Sequence, residues 1–287
     1  MVAVKKICAY NPEASHELNV LRNLRKQQHL HHHLLPLVAA YKQHDCLFLI
    51  LPWAEADLNQ YWKMNDPTLL GKSAELSTWL KQQCYGIAEA VSRIHRYDTT
   101  SGTMMLSSDT SLEPNPKSAQ RHPQSNQSPD PPNRKTLFGR HGDIKPANIL
   151  WFPGKRSDRC FGTLKLSDFG TTHFSDGQRN SMQDNYTVPY SRSYQSPECR
   201  LPDGQISSQC DVWAMGCVFL EFVCWYVGGY ELLNKFEHER LLAGGLEGSS
   251  FFSFKPEDNP QSDALRLKAP VIKVRNPEYR PQSWKYD

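Results

Sequence analysis

Three polar side chains in one short stretch have types and spacing suited to joint chemistry: Asp143, Lys145 and Asn148. A carboxylate can accept the proton of an attacking hydroxyl, a lysine can neutralise a transferred phosphate, and an amide oxygen can hold a magnesium ion. The apolar residues Ile149 and Leu150 follow at once and predict a strand where the polar residues end. This combination meets the requirements of phosphoryl transfer.

A second carboxylate lies about twenty residues downstream of Asn148, at Asp168. It ends a short apolar run that begins at Leu164, and the sequence continues as Asp-Phe-Gly to Gly170. A strand that ends in this way delivers a carboxylate where a second metal contact is needed. Together, the two segments resemble the catalytic loop and the metal-binding segment of eukaryotic protein kinases.

This resemblance implies a role for each of the four polar residues. Asp143 would be the general base, and Lys145 would be the cation beside the phosphate. Asn148 and Asp168 would bind Mg²⁺, and ATP would supply the phosphate. The pair Lys145-Pro146 is typical of serine/threonine kinases, so the implied reaction transfers the ATP γ-phosphate to a hydroxyl of a protein substrate.

The elements that position these residues begin at the start of the chain. Val2 to Lys5 predicts a strand, which resembles the kinase strand whose lysine holds the α- and β-phosphates. By the same resemblance, Ala3 and Leu150 would enclose the adenine of ATP. Taken alone, Lys5 would be interpreted as a surface lysine on an edge strand.

A helix is predicted from Glu13 to Leu24 because leucines recur there at helical spacing. Glu17 lies in a Glu-Leu-x-x-Leu context that resembles the glutamate-bearing helix C of kinases. We therefore expect Glu17 to pair with Lys5. Glu13 is the alternative, because the link from Lys5 to the helix is short.

Two further strands are predicted at 37–41 and 46–51, around a polar turn. Pro52 and Trp53 then break the pattern. By resemblance, residues 52–56 would be the hinge whose backbone groups bind adenine. Ile50 would be the gatekeeper residue at the hinge.

Two long helices are predicted after the hinge. One runs from Leu76 to His95, and the other begins at Asp211. By resemblance, Asp211 would hold the backbone of the catalytic loop, and a simple helix N-cap is the alternative. The apolar stretch from Val212 to Val227 is short for a membrane span and includes Glu221, so a buried helix is predicted.

Three other segments have distinctive compositions. Residues 98–136 are rich in Ser, Thr, Pro, Asn and Gln, which predicts a disordered insertion. Ser196-Pro197-Glu198 resembles the Ala-Pro-Glu that closes the kinase activation segment, and Arg280 is an expected partner of Glu198. Histidines at 29 and 31–33 suggest a metal site, but adjacent histidines cannot all face one ion, so a turn is the preferred interpretation.

These features predict an α+β, two-lobed kinase-like fold. Residues 1–51 would form part of a small β-rich N-lobe, 52–56 the hinge, and 57–287 a mostly helical C-lobe that contains the insertion. A net charge of +3 does not indicate nucleic-acid or membrane binding. Eight cysteines without a Cys-x-x-Cys pair, and no N-terminal signal peptide, predict a cytoplasmic or nuclear protein.

Two departures from the kinase pattern concern the phosphate-binding region and the catalytic loop. The first glycine is Gly71, so the glycine-rich phosphate loop of kinases is missing, and we expect an N-terminally truncated or partly degenerate member of the family. Gly142 replaces the arginine that usually precedes the catalytic acid. The alternative function is therefore a pseudokinase scaffold, which would bind partners and nucleotide without transferring phosphate.

Overall fold

The computed structural model describes residues 1–8, 12–25, 30–69, 73–99, 135–154, 161–175, 192–201, 204, 206–243, 248–255 and 264–274. Two of the sequence-based predictions concern residues that lie largely or wholly outside these ranges. Most of the insertion predicted at 98–136 lies outside the described residues, and so does Arg280, the expected partner of Glu198.

The N-terminal part of the chain forms a three-stranded antiparallel sheet with one helix. The sheet has the order β1-β3-β2, and the elements are β1 (Val2–Cys8), α1 (Pro12–Leu24), β2 (Ala39–Gln43) and β3 (Cys46–Pro52). All four were predicted, but β2 begins at Ala39 rather than at Leu37. Leu37 is buried in the core, and the ladder starts only after Val38, whose N–H donates to the carbonyl of Ile50.

A short strand and two helices follow: β4 (Ala56–Asp57), α2 (Leu58–Met64) and α3 (Ala74–His95). Asp57 caps α2, since its Oδ1 accepts from the N–H of Gln60 at 2.9 Å. The buried face of α3 includes Trp79 and Gln83, which bond to Gly162 and Leu164 in and next to the neighbouring hairpin. Leu80 and Cys84 are partly buried and pack against the core.

That hairpin consists of two strands that were both predicted, β7 (Ile149–Phe152) and β8 (Thr163–Leu166), and it forms a sheet with β4 in the order β4-β7-β8. A third sheet has the order β5-β6-β9, with β5 (Arg96–Thr99), β6 (Lys135–Arg140) and β9 (His173–Ser175). The predicted boundaries of the insertion were too wide. Residues 98, 99, 135 and 136 belong to the β5–β6 ladder, in which Asp98 pairs with Thr136.

Helix α4 (Gln209–Leu242) contributes more residues to the hydrophobic core than any other described element. It is broken at Gly228 and Gly229, which have non-helical backbone dihedrals. Its length and composition would permit a membrane span, but half of its most apolar window is buried in the protein, as in the core helix of a soluble protein. Trp225 is fully buried and donates to the carbonyls of Trp62 and Asn65 in and just after α2.

The described chain ends with the hairpin β10 (Phe252–Lys255) and β11 (Ala264–Leu267), followed by α5 (Ala269–Val274). Helix α5 packs against α4. The fold is therefore α+β, as predicted.

Candidate active site

Lys5 and Glu17 meet between β1 and α1. The Nζ of Lys5 lies 2.9 Å from Oε1 of Glu17 and 3.0 Å from Oδ1 of Asp168. Glu17 is buried, whereas the side chains of Lys5 and Asp168 remain 40% and 46% exposed. The predicted Lys5–Glu17 contact is present. The side chain of Glu13, the alternative partner, is not among the described ones.

These three groups alter each other's proton affinities. Burial raises the pKa of the Glu17 carboxyl, and the hydrogen bond and charge of Lys5 offset only part of the rise. Burial lowers the pKa of Lys5, but the hydrogen bonds and charges of Glu17 and Asp168 together outweigh it, and the pKa is raised overall. Burial raises the pKa of Asp168, but the charge and hydrogen bond of Lys5, together with smaller contributions from His141 and Gly170, outweigh it, and the pKa is lowered overall. Lys5 is therefore cationic and Asp168 anionic at neutral pH.

Asp143 follows β6 and precedes the 3₁₀ turn Pro146–Asn148. The Nζ of Lys145 lies 2.7 Å from its Oδ2, and Nδ2 of Asn148 donates to the same oxygen at 2.9 Å. Asn148 Nδ2 also donates to the backbone carbonyl of Asp143 at 2.8 Å. Because both side-chain bonds end on Oδ2, Oδ1 is the oxygen that can accept a proton from a substrate hydroxyl.

Asp168 is fixed next to Asn148 through Ser167. The N–H and the hydroxyl of Ser167 both donate to the carbonyl oxygen of Asn148 at 2.9 Å. Asp168 itself has a backbone φ of +61°, in the left-handed region that residues other than glycine rarely adopt. Strained backbone of this kind persists where the surrounding contacts over-determine it, as the contacts of Ser167 and Lys5 do here.

Asn148 and Asp168 supply the donors that a magnesium ion requires. The amide hydrogens of Asn148 point to Asp143, so its amide oxygen is available together with the carboxylate of Asp168. Mg²⁺ prefers such hard oxygen ligands and fills its other positions with phosphate oxygens and water. The two residues therefore fit the predicted ion. In the described part of the chain, no cluster of three His, Cys, Asp or Glu side chains suits another metal.

His141 connects the two halves of the site, a role that we did not assign from the sequence. It is fully buried; its Nδ1 accepts from the N–H of Asp143 at 3.3 Å, and its Nε2 lies 3.1 Å from the carbonyl of Ser167. Burial lowers the pKa of the ring, so it is neutral and carries its hydrogen on Nε2. Its position at the start of the polar stretch was the only sequence signal.

Asp211 holds the backbone in front of Asp143. Its Oδ2 accepts from the N–H of His141 at 2.7 Å, and its Oδ1 accepts from the N–H of Gly142 at 2.9 Å. The N-cap of α4 is Ser208, so the alternative prediction of Asp211 as a simple N-cap is wrong. The contact implied by the kinase resemblance is the one observed.

Gly142 occupies a position that disfavours a side chain. Its φ is +88°, and a Cβ atom added there would lie 3.0 Å from the carbonyl oxygen of Thr171. An arginine at this position, as in most kinases, would therefore require the backbone to change.

Of the predicted adenine-site residues in the first sheet, Ala3 and Lys5 share one face, and Ile50 points to the other. Lys5 pairs with Leu49 and Ala3 pairs with Leu51, so these four side chains share one face. Ile50 lies between the two leucines, so its side chain points to the opposite face. The structure therefore does not bring Ile50 beside Lys5, and Leu49 and Leu51 take that position.

The predicted hinge connects β3 to β4. Pro52 ends β3 and has no N–H, so only its carbonyl can bind a ligand. Trp53 is 48% exposed. The chain then turns to β7, where the N–H of Glu55 donates to the carbonyl of Trp151 and Leu150 pairs with Asp57. Leu150 is thus placed at the end of the hinge.

Comparison with known proteins agrees with this geometry. The family model for the protein kinase domain matches residues 139–241, from β6 into α4. The chain is 23% identical over 221 residues to the probable serine/threonine-protein kinase KIN28 homolog of Encephalitozoon cuniculi, a match that covers 77% of the chain and 53% of the relative.

Two other relatives match shorter segments. A probable serine/threonine-protein kinase of Streptomyces coelicolor is 30% identical over 146 residues, covering 50% of the chain and 19% of the relative. Mitogen-activated protein kinase kinase kinase 20 of Arabidopsis thaliana is 36% identical over 81 residues, covering 28% and 21%. The chain thus spans between about a fifth and about half the length of these curated relatives. The matched domain and these relatives support a member of the eukaryotic protein kinase superfamily.

Proposed function

We propose that the protein is a serine/threonine kinase that transfers the γ-phosphate of ATP to a hydroxyl of a protein substrate. One observation carries the proposal: a continuous chain of contacts joins Glu17 and Lys5 to Asp168, and Asp168, through Ser167, to Asn148 and Asp143. This chain unites a phosphate-binding cation, two metal ligands and a general base.

In this proposal, each residue has a defined task. Asp143 accepts the hydroxyl proton on Oδ1, and Lys145 neutralises charge that develops on the transferred phosphate. Lys5, oriented by Glu17, binds the α- and β-phosphates. Asn148 and Asp168 would hold Mg²⁺, which would supply charge stabilisation for the phosphates.

The nucleotide site lies, in the same proposal, between two lobes. Residues 1–51 form the N-lobe, 52–56 the hinge and 57–287 the C-lobe. Ala3 and Leu150 enclose the adenine, and the backbone at Pro52 and Trp53 binds its edge. We propose a cytoplasmic or nuclear location, which the seven described free cysteines support.

The test is transfer from γ-labelled ATP and Mg²⁺ to a peptide library that contains serine and threonine. The proposal expects phosphoserine or phosphothreonine with the parent protein, loss of transfer in Asp168→Asn, and retention in Asp45→Asn, an exposed control. Gly142, which offers no charge beside Asp143, favours the alternative of a non-transferring scaffold. Thermal stabilisation by ATP without any transfer would support that alternative.

A further inference from the structure

Two cysteines lie against each other beside the candidate catalytic loop. Cys199 belongs to the 3₁₀ turn Pro197–Arg200, and Cys210 belongs to the first turn of α4. Their Sγ atoms are 3.5 Å apart, and both residues are buried. Both line a small cavity whose lining also includes Asp143.

The surroundings make the two sulfurs chemically different. The hydrogen bond from Cys210 lowers the pKa of the Cys199 thiol to about 7, and the hydroxyl of Ser196, 3.2 Å away, acts in the same direction. The same contact with Cys199 raises the pKa of Cys210, whose Sγ also lies 3.4 Å from Oε1 of Glu198. Cys199 is therefore partly a thiolate at neutral pH.

The other cysteines of α4 provide a contrast. Burial raises the pKa of the Cys217 thiol well above its ordinary value and that of Cys224 to about 12. Thiols in this state are poor nucleophiles. A hydroperoxide should therefore react with Cys199 before it reacts with Cys217 or Cys224.

We propose that Cys199 and Cys210 form a redox-sensitive dithiol, which a hydroperoxide oxidises to an intrachain disulfide that ties the turn Pro197–Arg200 to α4. The Cys199 thiolate attacks the outer peroxide oxygen, the O–O bond breaks, and the leaving alkoxide takes up a proton to give an alcohol. The Cys210 sulfur then attacks the Cys199 sulfenic acid, the S–O bond breaks, and water leaves with the Cys210 proton. The two thiols lose two electrons in total, and these reduce the peroxide.

Formation of this bond should alter the catalytic loop. The sulfurs must approach from 3.5 Å to about 2.05 Å, which moves the turn, the start of α4, or both. Asp211 follows Cys210 and accepts the N–H groups of His141 and Gly142. A shift of Cys210 therefore weakens the bonds that hold the backbone in front of Asp143.

The first experiment treats the native protein with hydrogen peroxide at increasing ratios, blocks free thiols, and digests it with trypsin and chymotrypsin for mass spectrometry. Chymotrypsin is needed because Trp213 is the first cleavage point that separates Cys210 from Cys217. We expect a Cys199–Cys210 linked peptide, lighter than its two parts by two hydrogens, as the main disulfide, and its loss on reduction. The same treatment in urea should give mixed linkages.

Variants sharpen the result. Cys210→Ala should abolish the link and slow the oxidation of Cys199, which loses the hydrogen bond that lowers its pKa, whereas the matched control Cys224→Ala should leave the link intact. No Cys199–Cys210 link in the native parent protein, or a link no more abundant than in urea, would overturn the proposal. This readout does not depend on kinase activity.

The effect on the catalytic loop has its own measurement. Hydrogen exchange of the peptide that contains His141 and Gly142 should become faster after oxidation of the parent protein and should not change in Cys210→Ala. Equal exchange rates before and after formation of the link would overturn the proposed coupling to the loop.

Discussion

The ammonium group of Lys5 lies 2.9 Å from the carboxylate of Glu17, although one residue belongs to a strand and the other to a helix. The contact sets the position of the only cation that also reaches Asp168 among the described ion pairs. It thereby connects the first sheet to the segment that contains the candidate metal ligands.

Substitution of Lys5 should weaken nucleotide binding. Lys5→Met should remove the thermal stabilisation given by ATP and Mg²⁺, because the phosphates lose their cation and Glu17 is left as a buried, uncompensated carboxylate. The matched control is Lys6→Met, since Lys6 is the exposed neighbour on the other face of β1. Equal stabilisation of both variants would remove Lys5 from the nucleotide site.

Loss of Asp211 should destabilise the fold. Asp211→Ala leaves two buried N–H donors, of His141 and Gly142, without their acceptor, at a cost of roughly 1–3 kcal/mol each. Urea denaturation should therefore have a lower midpoint, while Asp45→Ala, in an exposed turn, should stay within about 0.5 kcal/mol of the parent. A midpoint equal to that of the parent would show that water replaces Asp211 at no cost.

Two helical glycines should respond oppositely to a methyl group. A Cβ atom at Gly86 would lie 2.1 Å from Nε2 of His33, whereas none of the described atoms lies within 4 Å of one at Gly216. Gly86→Ala should destabilise the protein by about 1–3 kcal/mol through overpacking, and Gly216→Ala should stabilise it by roughly 0.5–1 kcal/mol. Thermal unfolding of the two variants checks both signs.

Glu221 should make stability depend on pH. Burial raises the pKa of its carboxyl to about 7 from 4.5, despite the opposing charge of Arg240, whose Nη2 donates to it at 2.6 Å. The folded protein therefore holds this proton more tightly than the unfolded chain does. Glu221 thus favours folding at low pH, and this contribution is lost as pH rises from about 4.5 to about 7.

The measurement compares the free energy of unfolding of the parent with that of Glu221→Gln. Between about pH 5 and about pH 8, the parent should lose roughly 2–3 kcal/mol relative to the variant. The matched control is Glu231→Gln, exposed on the same helix, which should follow the parent at both pH values. A constant difference between the parent and Glu221→Gln would contradict the raised pKa.

The sequence could predict those elements of secondary structure that depend on contiguous residues. The strand with Lys5, the helix with Glu17 and the strand after Asn148 follow from local periodicity, which requires no knowledge of distant contacts. The cap of α2 at Asp57 is local in the same sense, because a helix cap is defined by its own neighbours.

Features that depend on pairing across the chain could not be predicted. The orientation of Ile50 depends on the register of β3 against β1, and a shift of one residue reverses every side chain. The β5–β6 ladder includes Asp98, Thr99, Lys135 and Thr136, whereas the polar composition of residues 98–136 predicted disorder at these positions. The contact of Cys199 with Cys210 depends on how a turn packs on a helix.

Asp143→Asn tests the central claim most directly, since the claim is that Asp143 is the general base of phosphoryl transfer. The asparagine keeps the size of the side chain but cannot accept the proton. We predict that kcat falls by about 10²–10⁴-fold while the ATP Kd, measured by thermal shift, stays near that of the parent. Transfer by Asp143→Asn at the rate of the parent protein, or no transfer by the parent, would contradict the account.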